Sequence, residues 1–164
     1  MVADELEKTG WEVIGFDLHE KKIVPCLGCF GCWVKTPGIC VIDDDGREVA
    51  RLAVESDLLV FLTSITFGGY SSHLKKAVDR MIPIVSPFFL KREGEIHHKP
   101  RYARYPHLRI VGVLSRPDEE SEKIFKSLVA RNARNFHGPS IAAKVILQGE
   151  ALEKKREVIK GFFK

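Results

Sequence analysis

Three short apolar runs constrain this chain more than anything else in it: Asp57–Thr63 (DLLVFLT), Leu108–Leu114 (LRIVGVL) and Ile141–Leu147 (IAAKVIL). Each is nearly continuous rather than alternating. That is the pattern of a strand buried on both faces, as in a parallel sheet whose crossover helices cover its two sides. The intervening segments supply such helices. Ser71–Ile82 sets Leu74, Ala77, Val78, Met81 and Ile82 on one stripe, and Pro83 blocks continuation. Pro117, followed by Asp118, Glu119 and Glu120, fits a helix start; that helix runs to about Phe136 with Ile124, Phe125, Leu128 and Val129 inward. Glu48–Glu55 and Ala151–Phe163 read as further helices. Residues 1–9 read as the end of another, closed by Gly10, and Trp11–Leu18 (WEVIGFDL) as an additional strand. The expectation is an α/β fold, a doubly wound parallel sheet with helices on both faces, built as a single domain over residues 1–164.

The formal net charge of +4 is mild, and the basic residues do not gather on one predicted helix, so no nucleic-acid surface is expected. No stretch approaches the roughly 20 apolar residues that cross a bilayer. No basic stretch followed by an apolar run marks a secretory signal. A cytoplasmic location, with no membrane partner, is the expectation.

All four cysteines lie between Cys26 and Cys40, as C-x2-C-x2-C-x7-C through Cys29 and Cys32. A disulfide scaffold would scatter them; clustering points to metal or redox chemistry. Two-residue gaps let neighbouring thiolates converge while the backbone wraps them, with Gly28, Gly31 and Gly38 turning where bulk would obstruct. Soft thiolates favour zinc or iron–sulfur centres. A [4Fe-4S] cluster is favoured over zinc, because structural zinc sites more often use two separated pairs. A redox dithiol is a third reading, and small, reduced, half-buried thiols, with Cys32 packed beside Trp33, a fourth.

In doubly wound sheets ligands sit beyond the carboxyl ends of the strands, which singles out the loops 19–45, 63–71 and 115–117. Thr63, Ser64, Ile65, Thr66, Phe67, Gly68, Gly69 and Tyr70 form a turn in which two glycines stand between aromatics. Backbone amides can approach a flat ligand there, and Phe67 or Tyr70 could stack on it. Together CLGCFGCWVKTPGICVIDDD (26–45) and SDLLVFLTSITFGGYSSHLKKAVDRMI (56–82) resemble the flavodoxin-like, NAD(P)H-dependent FMN reductase and iron-sulfur flavoprotein family.

The resemblance implies a flavodoxin-like sheet with bound FMN, electron uptake from NAD(P)H or a small ferredoxin-type donor, and a homodimer or homotetramer. It places Thr63 to Tyr70 along the isoalloxazine ring, Ser115 and Arg116 at its other side, and a cluster on Cys26, Cys29, Cys32 and Cys40. Family members begin with a buried strand and a G-S-P-R-like loop that cradles the FMN phosphate. Neither is among these residues, and Met1 falls inside what would be the following helix. Relative to the family the sequence is N-terminally incomplete: either the natural protein extends upstream, or this member holds FMN weakly.

Residues 84–107 form a long insertion or arm. Lys91, Arg92, Lys99, Arg101 and Arg104 face Glu93 and Glu95 there, beside His97, His98 and His107, with Phe88, Phe89, Tyr102 and Tyr105 interleaved. It reads either as a lid or dimer arm that attracts phosphate-bearing NAD(P)H, through Arg101 and Arg104, or as a surface excursion held by its aromatics. Asp43-Asp44-Asp45 reads as a solvated turn opening a helix, and His73 as exposed on its helix. The functional expectation is a flavin-dependent oxidoreductase. The alternatives are a non-catalytic electron-transfer or redox-sensing module that uses the cysteines alone, and a zinc-stabilised interaction domain.

Overall fold

The computed structural model describes residues 1–92 and 94–163, so Glu93 of the arm lies outside the described residues. In chain order the elements are α1 (Val2–Glu7), α2 (Gly31–Val34), α3 (Asp45–Glu55), β1 (Leu58–Thr66), β2 (Gly69–Tyr70) and α4 (Ser72–Asp79). A 3-10 turn at Ile82–Ile84 follows, then β3 (Val85–Arg92), β4 (Glu95–Pro100), β5 (His107–Leu114), α5 (Glu119–Phe136), β6 (Ile141–Leu147) and α6 (Leu152–Ile159).

The three apolar runs become the parallel strands of one sheet, ordered β2-β1-β5-β6. Registers run from Leu58 opposite His107 to Ser64 opposite Val113, and from Leu108 opposite Ile141 to Leu114 opposite Leu147. The carboxyl tips of the three strands are therefore level. β2 folds back antiparallel on the end of β1. Alternate side chains serve two cores, as a sheet covered on both faces requires. Phe61, Leu108 and Ile110 pack with α3, α4 and α5 through Ala50, Ala53, Leu74, Phe125 and Val129. Val111 and Ile146 pack on the opposite face with Leu6 of α1 and with Ile159 and Phe163.

Acidic and hydroxyl caps start the three helices that flank the carboxyl tips. Asp44 accepts from Gly46 N at 3.0 Å, Ser71 from Leu74 N at 3.3 Å and Asp118 from Ser121 N at 2.9 Å. Each such cap is worth about 1 kcal/mol.

Two segments differ from the sequence expectation. Trp11–Leu18 is not a strand: Trp11 and Val13 pack onto the α1–α6 core, but the segment joins no ladder. Its alternation reports one buried side and says nothing about a neighbour. Among the described residues no strand pairs with β1 from Leu58 to Ser64 on the side away from β5, and Leu62 there is 57% exposed. Residues 84–107, expected as an insertion or arm with no strand assigned to it, contain an antiparallel hairpin, β3 with β4, whose register shifts between Val85 and Phe89. Glu95 docks it on α5 by ion pairs with Arg131 and Arg134, and His97 bonds Glu95 at 3.1 Å and Asn135 at 3.1 Å.

Candidate functional site

The turn beyond β1 is a two-residue hairpin, with Thr66 opposite Gly69. Both central residues are left-handed, Phe67 at φ 49° and Gly68 at φ 72°, as a type I′ turn demands. Gly68 is doubly required, since a Cβ there would stand 2.6 Å from Ile124 Cγ2. Phe67 pays roughly 1 kcal/mol for that backbone geometry with no packing in return, because it is 98% exposed.

Thr63 Oγ1 accepts from Ser71 N at 3.0 Å, tying the strand to the first turn of α4. Ser64, Thr66 and Phe67 face solvent, whereas Thr63 is buried and Ile65 half-buried. Tyr70 is not available to stack on a ligand, which corrects one of the two stacking candidates. It is buried edge-on to Phe61 and Phe125, at 6.4 and 5.8 Å between ring centroids, and its hydroxyl accepts from Asn132 Nδ2 at 3.2 Å. Burial, opposed by that hydrogen bond, holds its phenol above the usual range. Ser115 and Arg116 are exposed at the tip of β5, directly beside the end of β1. The exposed hydroxyls of Ser64, Thr66 and Ser115 and the exposed ring of Phe67 thus lie at the carboxyl ends of the paired strands β1 and β5, a donor set with one aromatic face that suits a planar ring.

The cysteine loop is built on α2. Phe30, at φ 55°, turns the chain into it. Gly31 admits no side chain, since a Cβ would meet Val41 Cγ1 at 2.5 Å. Three anchors fix the loop. Trp33 Nε1 donates to Val85 O of the hairpin at 3.0 Å, and Arg47 Nε to Cys40 O at 2.8 Å. Arg80 Nη1 reaches Val24 O at 2.8 Å and Nη2 reaches Ile42 O at 3.2 Å.

Cys32 is buried, Cys40 half-buried, and Cys26 and Cys29 exposed; all four are free thiols. Burial and then the neighbouring Cys40, with smaller contributions from Cys26 and Cys29, push the Cys32 thiol up. Among the described residues no three Cys, His, Asp or Glu side chains converge on a single ion. An iron–sulfur cubane spreads its thiolates wider than one ion does, and four cysteines in one loop have the donor chemistry for it. A cavity of about 530 Å³ opens beside Cys40, walled by Ala50, Val54, Pro83, Ile84 and Tyr102.

The turn and the cysteine loop are joined by α4, whose cap Ser71 closes the first and whose following residue Arg80 holds the second. At 1.5 Å per residue the backbones of Ser71 and Arg80 lie roughly 14 Å apart along the helix. Arg80 and its partner Asp44 were not legible as site residues. The one available signal was a charged residue flanking the apolar stripe where α4 ends, between Ala77 and Met81 in the chain. Arg101 donates to Pro83 O at 2.8 Å, and Arg104, 69% exposed, pairs with Asp57, so both hold the arm's base. His97 and His98 point to different partners, His98 lying between Trp33 and Phe89. His73, expected to be exposed, is half-buried against His19, with ring centroids 4.0 Å apart.

A parallel sheet wrapped on both faces, with a strained aromatic turn at its carboxyl tips, defines a flavodoxin-like protein. Solved structures agree on the fold. The chain aligns over 98% of its length with azoreductase AzrA, covering 82% of that chain at 13% identity and a TM-score of 0.65. It aligns over the same share with an azoreductase from Bacillus anthracis str. Sterne, covering 82% of that chain at 13% identity and a TM-score of 0.63.

The model of the NADPH-dependent FMN reductase family matches residues 1–104, and the chain belongs to that family. An iron-sulfur flavoprotein from Archaeoglobus fulgidus is 38% identical over 79 residues, 48% of this chain and 35% of the relative. Iron-sulfur flavoprotein MJ1083 from Methanocaldococcus jannaschii is 33% identical over 88 residues, 54% of this chain and 45% of the relative. The chain thus spans less than half the length of these curated relatives. No helix among the described residues is long and apolar enough to cross a membrane.

Proposed function

We propose that this chain carries the ring side of an FMN site and the cysteine loop of a flavin-dependent oxidoreductase that draws electrons from NAD(P)H or a ferredoxin-type donor. When bound, FMN supplies the exchange between hydride and single-electron chemistry, and a [4Fe-4S] cluster supplies a one-electron store. Ser64, Thr66 and Ser115 would offer hydroxyls to the ring, Phe67 its face, and Arg116 a positive charge beside it. Cys26, Cys29, Cys32 and Cys40 would ligate the cluster. The observation that carries this reading is the pairing, on one family fold, of a strained and exposed turn at the strand tips with a four-thiol loop anchored to the same helix.

Four free thiols in one loop suit a reducing compartment such as the cytoplasm. Exposed Phe88, Phe89 and Ile96 on the hairpin support a homodimer or homotetramer.

The test is anaerobic preparation followed by absorption spectroscopy, iron and sulfide assay, flavin titration and NAD(P)H-dependent dye reduction. Flavin and cluster bands with NAD(P)H oxidation support the proposal. Replacing any one of the four cysteines by serine should remove iron and leave flavin binding intact. A colourless, iron-free preparation that binds no flavin overturns it. Cluster bands and electron uptake without flavin binding would assign the chain to a non-catalytic electron carrier.

A further inference from the structure

Arg80 is the largest fully buried side chain among the described residues, 1% exposed. A buried guanidinium must have its charge and its donors satisfied. Asp44 meets the charge bidentately, Oδ1 with Nη2 at 2.7 Å and Oδ2 with Nη1 at 2.8 Å. The same nitrogens donate to Val24 O and Ile42 O. Those two carbonyls lie two residues before Cys26 and two after Cys40, so one guanidinium draws together both ends of the cysteine loop.

The surroundings are shaped for it. A Cβ on Gly46 would stand 2.9 Å from Asp44 Oδ1 and 3.3 Å from Arg80 Cζ, so only glycine leaves room for the pair. One donor is left over: Arg80 Nε is buried and has no hydrogen-bond partner. The same Gly46 lines, together with Cys40, the cavity beside the loop, which brings the guanidinium and Cys40 to one wall.

We infer that Arg80 is the positioning residue of the sulfur centre: it closes the neck of the cysteine loop through Val24 and Ile42 and holds its orphaned Nε–H for the sulfur of Cys40. This rests on the reading of the loop as a cluster site. A hydrogen bond to a ligating thiolate withdraws charge from it and makes the centre easier to reduce.

Two measurements test it. In the iron-free full chain, nitrogen-15 spectra of the arginine Nε–H groups are compared for wild type, Cys40→Ala and Cys26→Ala; the Arg80 signal should move for Cys40→Ala and stay for Cys26→Ala. In the iron-loaded chain, cluster reduction is titrated in Arg80→Lys and in the double variant Arg80→Gln/Asp44→Asn, which leaves the net charge unaltered. Both should reduce less readily, the double variant by about tenfold, equivalent to about 59 mV for one electron. A merely structural arginine would lower the melting temperature and leave the reduction equilibrium in place. Should the double variant fail to fold, Arg80→Lys decides. Reduction within twofold of wild type in the folded variants, or an Arg80 signal indifferent to Cys40→Ala, overturns the inference. A chain that takes up no iron refutes the cluster reading instead, and the iron-free spectra then decide this inference alone.

Discussion

The fit of α5 against the sheet below the turn is tight enough for a single methyl group to measure it. Gly112 in β5 lies beside Thr63 of β1. A Cβ there would meet Phe125 Cε1 at 2.7 Å, Phe125 Cζ at 2.9 Å and Ile65 Cδ1 at 2.7 Å. The isoleucine methyl can rotate away; the ring of Phe125, fully buried, cannot. Overpacking of this kind costs roughly 1–3 kcal/mol. Gly112 has an ordinary strand backbone, so alanine also restrains the unfolded chain, which returns about 0.4–1 kcal/mol. Gly112→Ala should therefore destabilise by about 1–2 kcal/mol net, and melting should fall by roughly 2–8 °C.

Combining it with Phe125→Leu removes the ring edge. Phe125→Leu alone should cost on the order of 1–1.5 kcal/mol, and the added Gly112→Ala should then be neutral or stabilising. Urea denaturation of the four proteins in this cycle is the assay, with flavin titration alongside. α5 also carries Ile124 against Gly68 and Asn132 to Tyr70, so the single variant should weaken flavin binding and the double variant restore it. An equal penalty for Gly112→Ala in both backgrounds would refute the reasoning.

Phe67→Ala should weaken flavin binding about 3–10-fold, the worth of one aromatic contact, while Tyr70→Phe should lose about 1 kcal/mol of stability and leave flavin affinity within twofold; fluorescence titration and melts separate the two. The Arg131 and Arg134 guanidiniums, with His97, hold the Glu95 carboxyl at about 2, well below its ordinary 4.5. Its contribution to docking the hairpin is therefore complete above the ordinary value and is lost as pH falls from there towards 2. Amide exchange in β3 and β4 should rise across that window, and Glu95→Gln should raise it at neutral pH; exchange that does not change with pH would contradict the assignment. Trp33→Phe removes the 3.0 Å bond to Val85 O and should cost about 1 kcal/mol, read by urea denaturation.

The parallel strands and their helices were legible because burial on both faces leaves a composition signature: DLLVFLT starts one residue before β1 and stops three short of its end, LRIVGVL lacks only the first residue of β5, and IAAKVIL coincides with β6. Trp11–Leu18 alternates as a strand with one buried side does, yet it joins no ladder, because residue patterns record which side is buried but not what lies alongside. The hairpin in 84–107 was hidden by Pro87 and by the register shift beside it, which break the period-two rhythm. At the candidate site, the turn was found by its glycines. The opposite fates of Phe67 and Tyr70 depend on tertiary packing against α5, which local sequence does not encode. Arg80 was missed because a charged residue in a helix is ordinarily assigned to solvent; only the distant Asp44 makes its burial affordable.

Among the described residues no strand covers the flank of β1 away from β5, which has a consequence for this polypeptide in solution. Amides and carbonyls from Leu58 to Ser64, with Leu62 standing out among them, form a template on which any extended peptide could lay down a further strand. Whatever seated itself there would end next to the Phe67 turn. At high concentration, copies of the chain could cap one another along this seam, so dilution, or a lysine at position 62, should favour dispersed molecules.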